Sequence, residues 1–299
     1  MSSTAEGIAG PRVATKTREP IAARLSRGLS RGPLNIFLIL VGLFWLIPSL
    51  GLLITSFREP ADYAESGWWT VLTEPASMTL DGYRDLVGNE SMMQGLFNTV
   101  KITVPSSIFV VVIAALAAYA FAWVNFRGRD ALFLLVVALL VVPLQMALIP
   151  ASRLFNVTGI FGTIWSVVLF HIAFGLPFAI FLLRNFFAGI PKDLLEAARI
   201  DGASELQIFM RLILPLGMPA IASLFIFQFL WTWNDLLVGL TFGGDASPLT
   251  VLIRQEMRQY GTNIDIIAPG AMLLMLVPLA VFFAFQRYFV QGLLAGSVK

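Results

Sequence analysis

The chain has 299 residues, 58% of them hydrophobic and only 13% charged, with 20 Lys and Arg against 18 Asp and Glu and a mean hydropathy of +0.82. Several uncharged stretches exceed the roughly 18 apolar residues that mark a helix crossing the hydrocarbon, so the composition is that of an integral membrane protein and argues against a soluble enzyme built on one large core. With no cysteine and a single histidine, His171, the sequence offers no disulfide, no thiolate nucleophile and no clustered imidazole site, and a net charge of +2 scattered along the chain is not a nucleic-acid footprint.

Residues 1–33 are rich in Ser, Gly, Ala and Arg without hydrophobic periodicity, and are expected to form a flexible cytoplasmic tail. Six apolar stretches follow, at 34–57, 100–124, 131–150, 160–183, 216–238 and 266–285. At about 1.5 Å rise per residue each can cross a core of roughly 30 Å. Strand alternation is absent, so helices rather than a barrel must satisfy the backbone in lipid, and the expected fold is all-α: a polytopic domain over 34–285 with six transmembrane helices. The stretch 34–57 is longer than a signal-peptide core and lacks a small-residue cleavage site, so it is read as a permanent span. The loop 58–97 carries seven acids and two arginines. Placing that loop outside leaves 14 of the 20 basic residues, and both termini, on the cytoplasmic side, in line with the retention of positive charge during insertion. Pro143 and Pro150 predict a bend in the third span, and residues 286–299 are expected to form a cytoplasmic C-terminal tail.

The connection at 189–215, between the fourth and fifth spans, is the most informative. Gly189 ends the fourth span, Pro191 suits the first turn of a new helix, and Asp193 lies near the positive end of its dipole. Gly202 permits the turn that stops this helix, and Ser204 with Gln207 has the S-x-x-Q spacing of a capping box opening another. The spacing predicts two short helices meeting at a glycine, with Pro215 fixing where the chain turns back into the membrane. Leu194, Leu195 and Ala198 fall on one side of the first helix, while Glu196, Ala197 and Arg199 make a low, polar-edged surface. From these residues alone two readings stand open: an amphipathic connector lying on the membrane surface, or a short helix seated in the groove of a soluble partner.

The run Glu196-Ala197-Ala198, then Gly202, then Leu214-Pro215, resembles the E-A-A-x3-G-x9-I-x-L-P signature of binding-protein-dependent ABC importer permeases, with Leu212 standing where the pattern has Ile. The span count, the long first outer loop, the segment Trp231 to Asp235 and the ending 286–299 are similar to carbohydrate-uptake permeases of the maltose type, specifically the second permease subunit. The resemblance implies that 189–215 is a coupling-helix loop in a cleft of an ATPase subunit, with Glu196, Ala197, Ala198, Asp201, Gly202, Leu214 and Pro215 as its coupling positions. It implies a second permease chain, two ATPase subunits that bind ATP and Mg, an extracytoplasmic sugar-binding protein, and a C-terminal tail reaching the ATPase dimer interface. The expected role is import of a sugar, an oligosaccharide or glycoside, across the bacterial inner membrane. No cofactor or metal is assigned to this chain. The absence of any Gly-Lys dipeptide removes a phosphate-binding G-x-x-x-x-G-K-[ST] loop, so ATP must be hydrolysed elsewhere. The alternatives are a permease for a non-sugar solute and a self-contained secondary transporter, for which inverted repeats and deep ionisable coupling groups are not evident. An intramembrane enzyme lacks a convergent nucleophile–base set.

Polar groups inside the spans complete the reading. Gln228, Trp231 and Asp235 share a helical face at i, i+3 and i+7, beside a stripe of Phe227, Trp231 and Asn234. Aromatic rings next to amide and carboxylate groups suit a sugar, whose C–H faces pack on rings while its hydroxyls need hydrogen bonds. The competing reading puts Trp231 and Trp233 in the interfacial aromatic belt. His171 in the fourth span and Gln145 in the third are candidates either for the substrate pathway or for a hydrogen bond to a neighbouring helix. Trp68 and Trp69, in the acidic loop, either meet the binding protein or rest on the membrane interface.

Overall fold

A computed structural model describes residues 21–63, 66–73, 78–259 and 263–295; residues 1–20 of the expected N-terminal tail and 296–299 of the C-terminal tail lie outside the described residues. Helices dominate, and among the described residues the only β feature is an isolated bridge between Arg58 and Met78. Five helices are long and apolar enough to cross a membrane, and a bent pair makes a sixth crossing if it is one span.

The chain forms two compact units, Met1–Gly51 and Leu52–Lys299. Helix α1 (Ile21–Thr55), most of which belongs to the first, begins within the stretch expected to be a tail and continues through Pro33 and Pro48. Its apolar side chains from Leu34 to Leu46 are exposed, as a lipid-facing span requires.

The second unit contains α2 (Asp81–Gly88), α3 (Glu90–Trp123), α4 (Arg129–Leu139), α5 (Leu144–Val157), α6 (Ile164–Ala188), α7 (Lys192–Ile200), α8 (Glu205–Ile208), α9 (Leu214–Trp233), α10 (Leu237–Phe242), α11 (Leu249–Gln259) and α12 (Ile264–Ala295). Helix α3 starts well before the apolar stretch because Asn89 caps it, its side-chain oxygen accepting the Met92 N–H at 3.1 Å. The third span is bent, as Pro143 and Pro150 lead one to expect. It is α4 and α5, set at 103° to each other. The break falls before Pro143, which has no N–H to continue α4 and holds an extended backbone at the start of α5; Pro150 lies inside α5 without breaking it.

The fifth span departs from the expectation. Helix runs without a turn from Glu205 to Trp233, passing through a π-helical turn at Phe209–Ile213 before α9. Pro215 therefore does not redirect the chain. Its missing N–H and ring interrupt the i→i−4 ladder, and the widened turn just before it accommodates them. Nor does α9 reach residue 238. Asn234 ends it, donating from Nδ2 to the Leu230 carbonyl at 2.8 Å, and Asp235 opens α10 by accepting the N–H groups of Val238 (3.3 Å) and Gly239 (3.0 Å). Asp235 thus lies past the helix that was to carry it at i+7.

Helix α3 packs most extensively on α6, and both pack on α9. Lipid tails give helices no hydrophobic reason to associate, so close contact depends on small side chains. Ala114, Ala115 and Ala118 of α3, Ala179 of α6 and Ala220 of α9 are all buried in the same apolar cluster. Near Phe155, Val168, Phe170 and Phe242 a second cluster joins α5, α6 and α10; a third gathers Leu86, Met92, Leu249 and Ile253. Trp233 fastens α9 to α12, its indole N–H donating to the Leu274 carbonyl at 3.0 Å.

Candidate functional site

Helix α7, the bend at 201–204 and α8 form a compact elbow, and each of its corners has a local cause. Helix α7 is closed by a complete Schellman motif. The Ala203 N–H donates to the Ala198 carbonyl at 3.0 Å, the Gly202 N–H donates to the Arg199 carbonyl at 3.1 Å, and Gly202 sits at φ +80°. A Cβ on Gly202 would meet nothing within 4 Å, so glycine is required there by backbone conformation and not by space. The capping box is formed in both directions: the Ser204 N–H donates to Gln207 Oε1 at 2.9 Å, and the Gln207 N–H donates to Ser204 Oγ at 3.4 Å.

The inner side of the elbow belongs to the core. Leu195, Ile208, Phe209 and Ile213 are buried with the adjoining ends of α3 and α6, and Ala198 and Ala203 are partly buried against them. The amphipathic pattern is therefore satisfied by protein. Leu194, expected beside Leu195, instead points outward and is 44% exposed. The outer side carries Glu196, Ala197, Asp201 and Gly202, all exposed. Ile200 and Leu206 of the elbow and Met210 of the adjoining π-turn are also exposed, at 86%, 66% and 51%. Ile200, Leu206 and Met210 were not singled out from the sequence. The available signal was that each lies off the stripe containing Leu195 and Ile208. Leu214 and Pro215 stand beyond the π-turn, where they shape the joint with α9 rather than the exposed tip.

Charges frame this surface. Lys192 Nζ lies 2.7 Å from Glu196 Oε1, one turn away on α7. That hydrogen bond and the attraction behind it hold the Glu196 carboxyl below the usual carboxylate range and raise Lys192. Arg199 Nε donates to Glu205 Oε1 at 3.0 Å across the bend.

The intramembrane candidates divide into those brought together and those left apart. His171 is fully buried, its Nε2 lies 3.7 Å from Asp235 Oδ2, and its ring meets Trp231 edge-on at 5.3 Å between centroids. Gln228 is buried as well; its Nε2 donates to Thr232 Oγ1 at 3.1 Å, and its carboxamide fills the space left by Gly175 of α6, where an added Cβ would lie 2.7 Å from Gln228 Oε1. Thr232 and Gly175 were not anticipated; Gly175 stands four residues after His171, on the same face of α6. Gln145 in the first turn of α5 and Asn234 at the end of α9 are exposed and apart from this group. Neither ring nitrogen of His171 has a hydrogen-bond partner among the described residues, and the same holds for the buried hydroxyls of Thr103, Ser106 and Ser107 on α3.

A bundle of apolar helices long enough to cross a membrane, with a capped elbow between α6 and α9, defines a polytopic membrane protein. Residues 101–295 match the family described as "Binding-protein-dependent transport system inner membrane component". The chain belongs to that family and is a permease component of an ABC importer. Over 273 residues it is 48% identical to the "Osmoprotective compounds uptake permease protein GgtD" of Synechocystis sp., covering 89% of this chain and 92% of that one. Over 235 residues it is 48% identical to the "Alpha-glucoside transport system permease protein AglG" of Rhizobium meliloti, covering 76% of this chain and 62% of that one. A chain in the crystal structure of a bacterial ABC transporter involved in the import of the acidic polysaccharide alginate has the same fold, with a TM-score of 0.71 at 20% identity over 92% of this chain and all of that one.

Proposed function

We propose that this chain is the subunit through which partner ATPases drive uptake of a glucoside-type sugar or a small osmoprotective solute. The observation that carries the proposal is the elbow: Glu196, Ala197 and Gly202 sit exposed on a motif whose backbone is fixed by its caps and whose inner side is anchored in the core. A force applied to such a surface moves helices instead of bending a loop. The names of the two relatives at 48% identity support the substrate class. The excess of basic residues at the elbow end supports a cytoplasmic elbow and a multi-pass subunit of the inner membrane with both termini inside. In this reading ATP and Mg are held by two ATPase subunits, a second permease chain completes the pathway, and an extracytoplasmic binding protein delivers the solute. Coupling requires that ATP and the loaded binding protein favour the same outward-facing state. His171, Gln228, Trp231 and Asp235 belong to the closed wall of that pathway, with Gln145 and Asn234 at its margins.

One observation favours a second reading, a self-contained proton-coupled carrier: the buried approach of His171 to Asp235 across α6 and the start of α10. Reconstitution separates the two. The assembled complex in proteoliposomes should hydrolyse ATP faster when its binding protein is loaded with an α-glucoside or an osmoprotective solute, and should import that solute only with ATP. Uptake by this chain alone, driven by a proton gradient, would replace the importer reading with the carrier.

A further inference from the structure

Glu205, the first residue of α8, reaches beyond the bend. Its carboxylate accepts Arg199 through Nε at 3.0 Å and through Nη2 at 3.3 Å, and it accepts the Tyr119 hydroxyl of α3 at 2.5 Å. The Nη2 group of Arg199 also donates to the Trp123 carbonyl at the end of α3, at 3.3 Å, and the Trp123 indole N–H donates to the Phe187 carbonyl near the end of α6, at 3.0 Å. One chain of polar contacts therefore runs from α7 and α8 into α3 and on to α6. An exposed ion pair alone would be worth little. Here the fork of Arg199 is used on two acceptors, and the pair is completed by a tyrosine that is only 6% exposed and whose ring lies 5.3 Å from Phe209.

The route from the elbow into α9 is built differently. It passes through the π-turn at Phe209–Ile213, followed at once by Pro215, where the helical ladder is widened and interrupted. A π-turn is a site at which a helix changes register by one residue, whereas a forked guanidinium and a buried phenol hold one geometry. The elbow thus meets α3 through side-chain hydrogen bonds of fixed geometry and meets α9 through a π-turn.

From this asymmetry we infer that Tyr119, Arg199, Glu205 and the Trp123 carbonyl form a strut that passes the motion of the elbow into α3 and α6, so that these residues are positioning residues for energy coupling. The inference rests on the importer reading proposed above and adds to it the path by which work enters the membrane. Tyr119→Phe removes one hydroxyl and keeps the ring; Glu205→Gln keeps the shape and removes the charge. Each should lower solute imported per ATP hydrolysed by about tenfold in proteoliposomes, with the ATPase chains still co-purifying. A purely structural role would lower thermal stability, uptake and ATP hydrolysis together and leave the ratio unchanged, which overturns the strut; so does a ratio within about twofold of the parent. The natural chain lacks cysteine, so Tyr119→Cys with Glu205→Cys can be bridged by a flexible thiol-reactive cross-linker. Bridging should restore the ratio, and failure to restore it in a complex that still holds its ATPases counts against the strut. A parent complex that retains no ATPase chain overturns the importer reading and the strut together.

Discussion

At the elbow, local rules fix the backbone and leave Ile200, Leu206 and Met210 exposed; inside the bundle, the polar side chains of His171 and Gln228 are buried. Both regions break the usual sorting of apolar from polar, in opposite directions. On the importer reading proposed above, the apolar side chains held outward by the capped elbow are covered by another protein, which recovers the cost of their exposure. Polar side chains held inward are costly at membrane depth unless they find partners, as Gln228 does in Thr232. The shape of the elbow is thus set by local caps, whereas the interior group is set by contacts between residues distant in sequence.

The contrast can be broken most forcefully at Glu196. Glu196→Lys reverses the charge on the exposed face and places two ammonium groups one turn apart; uptake should fall about 100-fold while the chain still inserts, as measured by solute transport and membrane content. Normal uptake would mean that this face docks nothing. Gly202→Val comes next. A β-branched residue at φ +80° costs about 1–2 kcal/mol of backbone strain although the space around it is open, and uptake should fall about tenfold through distortion of the elbow. If the valine variant transports normally, the cap has no bearing on coupling.

Gln228→Ala addresses the other region. It leaves Thr232 without its partner and a gap against Gly175, a loss of about 1–3 kcal/mol. Transport should drop several-fold with ATPase attachment unchanged; equal losses in both would make Gln228 a packing residue only. Ser204→Ala removes half of the capping box and should cost about 1 kcal/mol, seen as faster amide exchange confined to 204–208. Exchange that spreads into α9 would show that the elbow and the span are not separate elastic elements. The smallest effect belongs to pH. With its carboxyl held below the usual range, Glu196 contributes its pairing with Lys192 above the unfolded-state value of about 4.3, and that contribution is lost as pH falls through the lower folded value. ATPase attachment should therefore stay level between about pH 5 and 8, and a midpoint inside that range would point to another group.

Much of the elbow is legible in the sequence because its causes are local. Gly202, Ser204 and Gln207 lie within six consecutive residues, and the spacing of Glu196, Ala197 and Ala198 adds the resemblance to a family. What eluded the sequence depended on distance or on competition between rules. Tyr119 and Glu205 are 86 residues apart, and nothing near either announces the other. Pro215 reads as a stop, yet a π-turn absorbs it and the helix continues. Hydropathy carried the fifth span to residue 238, but Asn234 and Asp235 use their side chains on the backbone and break it first. What the prolines of 131–150 do not tell is which of them divides the span: Pro143 does, and Pro150 lies inside α5.

One thiol can decide whether the elbow is the handle. In a chain without cysteine, Ile200→Cys places a single reactive group at the most exposed apolar point of the elbow tip. In the assembled complex within its native membrane, coupling through the elbow predicts cross-linking of that thiol to an ATPase subunit and no labelling by a membrane-impermeant maleimide added outside intact cells. Labelling from outside, or a thiol that reaches no ATPase chain in a complex known to contain one, would contradict it.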